Sequence, residues 1–274
     1  VRSTNLNGIL AVYPFILRIL FTVDLRNAVT AGSGSHANDM INLSKRSYQK
    51  ELLDRDDIPL DDIRRNMLEL DTINTWLGGH AISIGGLKRL IGRRRQINLC
   101  EIGCGGGDNL RALVRWCRKN GIRVYVTGID LNAHCIAVAK ERWQEGPAEW
   151  IHSDYRNVVF DQRRPDIIFS SLFCHHFTDE ELTAQLSWME NNAGVGWFIN
   201  DLHRHVLAWQ SIRLLTKWFS RSYLVKNDAP LSVQRGFTRL EWLDLLKQAG
   251  IDNGVVEWKW AFRWLVSSKR SLVE

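Results

Sequence analysis

Ile97-Asn98-Leu99-Cys100-Glu101-Ile102-Gly103-Cys104-Gly105-Gly106-Gly107-Asp108-Asn109 joins an apolar run, an acid and a glycine-rich turn. Ile97 to Cys100 reads as a short buried strand that Glu101 closes, and the pattern predicts a helix from about Asp108. Glycines at 103, 105, 106 and 107 permit positive φ in a tight turn and let a ligand approach bare backbone. A Gly-rich turn from strand to helix is the usual ligand site of a doubly wound α/β sheet.

The spacing narrows the ligand. A dinucleotide fingerprint places a third glycine three residues after the second. Counted from Gly103 and Gly105 that position holds Asp108, and counted from Gly105 and Gly107 it holds Leu110. No Lys-Ser or Lys-Thr follows the glycines, so the turn is not a P-loop. What stands here is E-x-G-x-G-x-G: Glu101, Gly103, Gly105, Gly107. It resembles the first motif of class I S-adenosylmethionine (SAM) dependent methyltransferases. SAM carries a sulfonium, an ammonium, a carboxylate and a ribose diol, and no phosphate. A carboxylate near the loop favours a cationic ligand, and helix amides after it favour the ligand's carboxylate.

Downstream residues extend the pattern. Leu110, Leu113, Val114 and Cys117 mark one face of a helix that Gly121 stops. Val124 to Ile129 reads as the second strand and ends in Asp130-Leu131. An acid there is what a ribose diol needs: two hydroxyl donors facing a bidentate acceptor. Asn132 is placed to cap the next helix, which is expected to end at Gly146-Pro147. Ala148 to His152 reads as strand three, followed by Ser153-Asp154-Tyr155. Asp166 to Phe173 reads as strand four, and Cys174-His175-His176-Phe177 follow it. Thr178 with Glu181, and Thr238 with Glu241, form capping boxes that open two later helices. Trp197 to Asn200 is strand five, and Val255 to Ser267 splits into two strands around Ala261.

The resemblance spans about residues 60–268 and implies an α/β fold: a Rossmann-like doubly wound seven-stranded sheet with a closing antiparallel hairpin. It implies a cofactor wall of Glu101, Gly103, Cys104, Gly105, Asp130, Leu131, Asp154, Tyr155 and Ser171, with Asp154 where the family accepts the adenine amino group. The cofactor is then SAM and the product S-adenosylhomocysteine (SAH). Within that family the chain resembles small-molecule methyltransferases, including those acting on quinones, phenols and polyketides. His176 and His203 are candidate bases, since an imidazole suits proton removal near neutrality. No metal site is read at Cys174-His175-His176: adjacent residues seldom converge on one ion, and no carboxylate has suitable spacing. Trp258, Trp260 and Trp264 read as sheet packing.

Around this core, residues 1–39 form an N-terminal extension read as non-native or flexible, with Met40 a possible start or the apolar stretch an appended helix. Ile9 to Val23 is apolar apart from Arg18 and short for a membrane span. Residues 40–95 read as a helical cap: a polar stretch, then an apolar period from Leu60 to Leu77 and a second segment from Ile82 to Ile91. Residues 96–274 are the core. An insert at about 203–236, with a helix from Leu207 to Phe219, reads as a lid. Its Trp209, Arg213 and Arg235, with His80 of the cap, are candidate contacts to a flat aromatic or acidic acceptor.

The net charge of +6 comes from dispersed basic residues, which favours a small-molecule partner over nucleic acid. Five cysteines without C-x-x-C suit a reducing compartment, so a cytoplasmic enzyme is expected, its oligomeric state open. Two other classes stand beside methyl transfer to oxygen or carbon. One is an NAD(P)-dependent oxidoreductase, opposed by the glycine spacing and the missing Tyr-x-x-x-Lys pair. The other is a catalytically silent SAM-fold binding protein.

Overall fold

A computed structural model of the chain describes residues 41–55, 57–160 and 163–270. The extension read over residues 1–39 lies outside the described residues.

Strand β1 (Gln96–Ile102) is buried from Leu99 onward because both faces of the sheet are covered. It pairs in parallel with β2 (Arg123–Asp130) and β4 (Ile167–Ser171). Beyond these lie β3 (Ala148–His152) on one side and β5 (Gly196–Leu202) on the other, both parallel. Strands β6 (Val255–Lys259) and β7 (Arg263–Lys269) close the sheet antiparallel, giving the order β3-β2-β1-β4-β5-β7-β6. This is the seven-stranded sheet with an antiparallel hairpin that the family resemblance implies.

The helices before and within the core are α1 (Leu60–Trp76), α2 (Gly79–Ile91), α3 (Asp108–Lys119), α4 (Ala133–Arg142) and α5 (Asp179–Asn192). Helix α3 has Asp108 in its first turn and Arg118 and Lys119 in its last, matching the helix dipole. It buries Leu110, Leu113, Val114 and Cys117 against the sheet. Asn132 caps α4 by accepting from His134 and Cys135, though the helix stops at Arg142, short of Gly146. Both capping boxes form, opening α5 and, later, α8 (Arg239–Gln248).

Three placements differ from the sequence reading. Helix α2 does not lie over the ligand turn as part of a 40–95 cap. Its Leu87 and Leu90 are fully buried in the sheet's own core, and a Cβ at Gly86 would sit 2.6 Å from the Phe198 ring. Of the described stretch read as a cap, only α1, the turn after it and the segment before it border the cavity described below. The insert holds two helices, α6 (Val206–Phe219) and α7 (Tyr223–Arg235). The second carries Pro230 in its interior, which reads as a break in sequence. Its burial of Leu224, Val225, Leu231 and Val233 offsets the lost hydrogen bond. Of the tail tryptophans only Trp264 is buried, while Trp258 and Trp260 are exposed.

All five cysteines are buried and free. No helix among the described residues is long and apolar enough to cross a membrane.

Candidate active site

The glycine turn after β1 opens into a cavity of about 840 Å³ at the carboxyl ends of β1, β2 and β4. Small-molecule sites occupy about 300–1,000 Å³. Gly103 has φ +66°, and a Cβ there would lie 2.2 Å from the Phe173 ring, so the turn leaves no room for a side chain. Leu172, next to that ring, adopts a left-handed φ of 54° without being glycine, a conformation that concentrates at functional sites.

One wall is polar. Asp130 ends β2 and accepts from Gly105 N (2.8 Å) and Asn132 N (2.9 Å). Burial raises its pKa despite those two donors. Glu101 is fully buried, and its Oε2 has no hydrogen-bond partner among the described residues. Burial, with Asp108 and Asp130 nearby, pushes its carboxyl well above the usual range. An orphaned buried carboxyl is costly and favours a cationic or donating group beside it. Burial likewise pushes the Cys104 thiol up, so it is no nucleophile.

All nine residues expected to hold the cofactor line this one cavity: Glu101, Gly103, Cys104, Gly105, Asp130, Leu131, Asp154, Tyr155 and Ser171. Their settings differ. Leu131 is exposed at the rim, and Ser171 is buried at the end of β4. Both Asp154 oxygens accept from Arg156, which holds that carboxyl low. An adenine amino group would therefore share Asp154 with Arg156. Tyr155 packs edge-on to Phe177 and Trp188, and burial pushes its hydroxyl up to about 12.

The opposite side is an apolar chamber. Helix α1 contributes Ile63, Met67, Leu70 and Ile73; α6 contributes Ala208, Ser211, Ile212 and Leu215; Trp260 and Phe262 come from the hairpin. Between chamber and cofactor wall stands a cluster of acids and imidazoles. His176 faces Asp54 (Nδ1 to Oδ1, 3.1 Å) and Glu51 (Nε2 to Oε2, 3.6 Å). His175 pairs with Asp201 (2.8 Å) and lies 3.5 Å from Glu51. Burial alone would lower the His175 pKa, but Asp201 and Glu51 push it up to about 9. Burial likewise works against the charges of Glu51 and Asp54, yet the adjacent histidines outweigh it. Glu51 is held low, and Asp54 falls to about 2.

The other expected contacts lie outside the cavity wall. His203 accepts from Trp258 Nε1 (3.2 Å) and packs on Trp264, and burial pushes it down to about 4. It is neutral but walled off from the chamber. Arg235 is buried behind the cluster, donating to the carbonyls of His175 (3.0 Å) and Gln49 (2.8 Å). His80 sits 3.3 Å from Asp71, which also holds Arg111 and Arg142 (2.7 Å each). The Arg213 guanidinium lies over the Trp209 ring, 5.0 Å from its centre, and neither residue borders the cavity.

The sequence reading missed Glu51 and Asp54. Their signal was the three-residue spacing in Glu51-Leu52-Leu53-Asp54, a capping box around the Leu52–Asp54 turn. The segment is further pinned where Leu52 N and Leu53 N donate to Asp228 of α7 (2.8 and 3.0 Å).

Comparison with known proteins places this architecture. A family model described as a methyltransferase domain matches residues 99–192. No curated protein sequence matches the chain. Among solved structures, a SAM-dependent methyltransferase from Aquifex aeolicus is 17% identical at TM-score 0.55, over 77% of this chain and 98% of that one. The plantazolicin methyltransferase BpumL, solved in complex with SAH, is 18% identical at TM-score 0.52, over 72% of each chain. Human N-acetylserotonin methyltransferase, solved with SAM, is 15% identical at TM-score 0.55; the match covers 78% of this chain and 57% of the human one. At these identities the likeness is one of fold.

Proposed function

We propose that this chain, whose residues 99–192 match a methyltransferase-domain model, is an enzyme that uses SAM to methylate an oxygen or carbon of a small, largely apolar acceptor. The observation that carries the reading is a pair of acids on one wall, Glu101 buried and Asp130 partly exposed. Glu101 has an orphaned oxygen, and Asp130 holds the glycine turn by the Gly105 amide. Glu101 would hold the ammonium of SAM and Asp130 its ribose hydroxyls. Leu131 and Asp154 would flank the base. Bound SAM supplies a methyl group on a sulfonium, open to attack by a nucleophile.

The chain's own work lies on the acceptor side. The apolar faces of α1 and α6 bind a flat or lipophilic acceptor and exclude water from it. His176 is the imidazole placed to accept a proton from a phenol or enol. Asp54 on its Nδ1 orients the ring. The chamber's composition favours aromatic, quinol or polyketide-like acceptors.

Calorimetric titration with SAH, with NADH as control, tests the cofactor on wild type and Asp130→Ala. Micromolar SAH binding that weakens at least tenfold in the variant is expected, since a charged hydrogen bond contributes about 1.5–3 kcal/mol. NADH binding instead would make the chain an oxidoreductase. Binding of neither would leave a silent scaffold.

A further inference from the structure

The His175-His176 pair sits on the short turn Cys174–His176, which sets the two imidazoles side by side with ring centres 4.5 Å apart. Adjacent histidines were set aside as metal ligands in the sequence because no carboxylate was spaced to join them. The fold supplies one from far upstream. Donor atoms of Glu51, His175 and His176 lie within 4.8 Å of one another. Nε2 of each histidine faces a different oxygen of Glu51, at 3.5 and 3.6 Å. Tetrahedral zinc, with bonds of about 2.0–2.2 Å, spaces its ligands about 3.3–3.6 Å apart.

The far side of each ring matters as much. Nδ1 of His175 is backed by Asp201 and Nδ1 of His176 by Asp54. Metal-ligating histidines are held in this way: the outer N–H goes to a carboxylate, which leaves the lone pair on the inner nitrogen. Glu51 is itself positioned, accepting from Ser232 Oγ at 2.6 Å.

We propose that Glu51, His175 and His176 bind one divalent transition-metal ion, zinc or a metal of similar preference, in the wall of the cavity. Two imidazoles and one carboxylate are the donor set of three-ligand zinc sites, which leave a fourth position open. With neutral imidazoles, Glu51, Asp54 and Asp201 bring three negative charges. Arg235, 3.5 Å from Asp54, and the buried Arg263, whose charge acts on Asp201, offset two of them, and a dication covers the remainder. Nitrogen donors select zinc, cobalt or nickel over magnesium and calcium, which prefer all-oxygen sites. The second His–acid cluster, Asp71, His80 and Asp108, differs because Arg111 and Arg142 already balance its carboxylates.

All three ligands line the cavity. The open position therefore suits a hydroxyl or carbonyl oxygen of the acceptor, whose acidity the ion would raise. In that state His176 is a ligand rather than a base. This role rests on the methyl-transfer reading, whereas the binding itself does not.

The test uses the full chain, stripped with chelator and titrated with Co²⁺. Visible d–d absorption and metal content per chain are recorded, with Mg²⁺ as the contrast. One cobalt per chain is expected, with binding weakened at least tenfold in both His176→Ala and Glu51→Gln. Asp54→Asn should weaken it about 10–100-fold through the outer hydrogen bond. SAH calorimetry on every sample reports that the cavity is still formed. Absence of stoichiometric cobalt in the wild type, or unchanged affinity in both ligand variants, overturns the site. SAH binding without cobalt leaves the methyl-transfer reading intact and removes the metal. Cobalt binding without SAH does the reverse.

Discussion

Gly103 has no space for a methyl group, and its backbone lies where L side chains rarely go. Gly121 shares the left-handed φ (+67°) but faces open space. The pair separates two costs. Gly121→Ala should lose about 1 kcal/mol, the backbone term alone. Gly103→Ala should lose about 2–4 kcal/mol, because overpacking against Phe173 adds to it, and SAH binding should fail. Urea unfolding of the two variants checks the difference. In the chelator-stripped, metal-free protein His175 makes a pH prediction at the same scale. Its folded pKa of about 9 lies above the ordinary 6.5, so the folded state holds a proton that the unfolded chain releases earlier. The resulting stability is complete below about pH 6.5 and fades as pH rises through 9, a change of about 3 kcal/mol. Unfolding midpoints measured at pH 6 and pH 9.5 should show this loss, and His175→Gln should flatten it.

The start of α8 shows what an element terminus holds. Thr238 and Glu241 cap it reciprocally, and Glu241 also pairs with the buried Arg204 (2.7 Å). Thr238→Ala should cost about 1 kcal/mol, the ordinary value of a cap. Glu241→Ala should cost more, about 2–3 kcal/mol, because a guanidinium only 1% exposed then keeps the carbonyls of Leu43 and Gly236 but loses its carboxylate. Thermal unfolding ranks the two. This terminus was legible in the sequence, as were β1, the glycine turn, Asp130 and the closing hairpin. Each depends on neighbours within a few positions: an apolar alternation, a cap three residues away, a glycine where φ is positive. Helix α7 was not legible, because Pro230 is a local break that only burial of its far face overrides. Glu51 and Asp54 were hidden for a related reason. They lie in a polar stretch with no period, and their partners His175, His176 and Asp228 are more than a hundred residues downstream. Arg213 and Trp209 had suitable chemistry but stand on the wrong side of α6, which spacing within a single helix does not decide without knowing its neighbours.

For the whole molecule, cap and core are joined by a small set of charges. Asp71 on α1 accepts from Arg111 on α3 and Arg142 on α4, both mostly buried. Burial opposes the Asp71 charge, but His80 and the two arginines hold its carboxyl down at about 2. Asp71→Asn should cost about 3 kcal/mol by leaving two guanidinium groups underpaired. Under native conditions it should also speed protease cleavage within α1 before global unfolding, which mass spectrometry of the first fragments would reveal. The strand order carries a consequence for how the protein is made. Strand β7 lies between β5 and β6, so the last of the described strands in chain order is an inner strand of the sheet. Until β7 is made β5 keeps a bare edge, and β6 has no strand to join. Vectorial synthesis therefore cannot complete this sheet piece by piece. The growing chain must hold an unfinished edge until β7 is made, so β5, β7 and β6 join the sheet together rather than one after another.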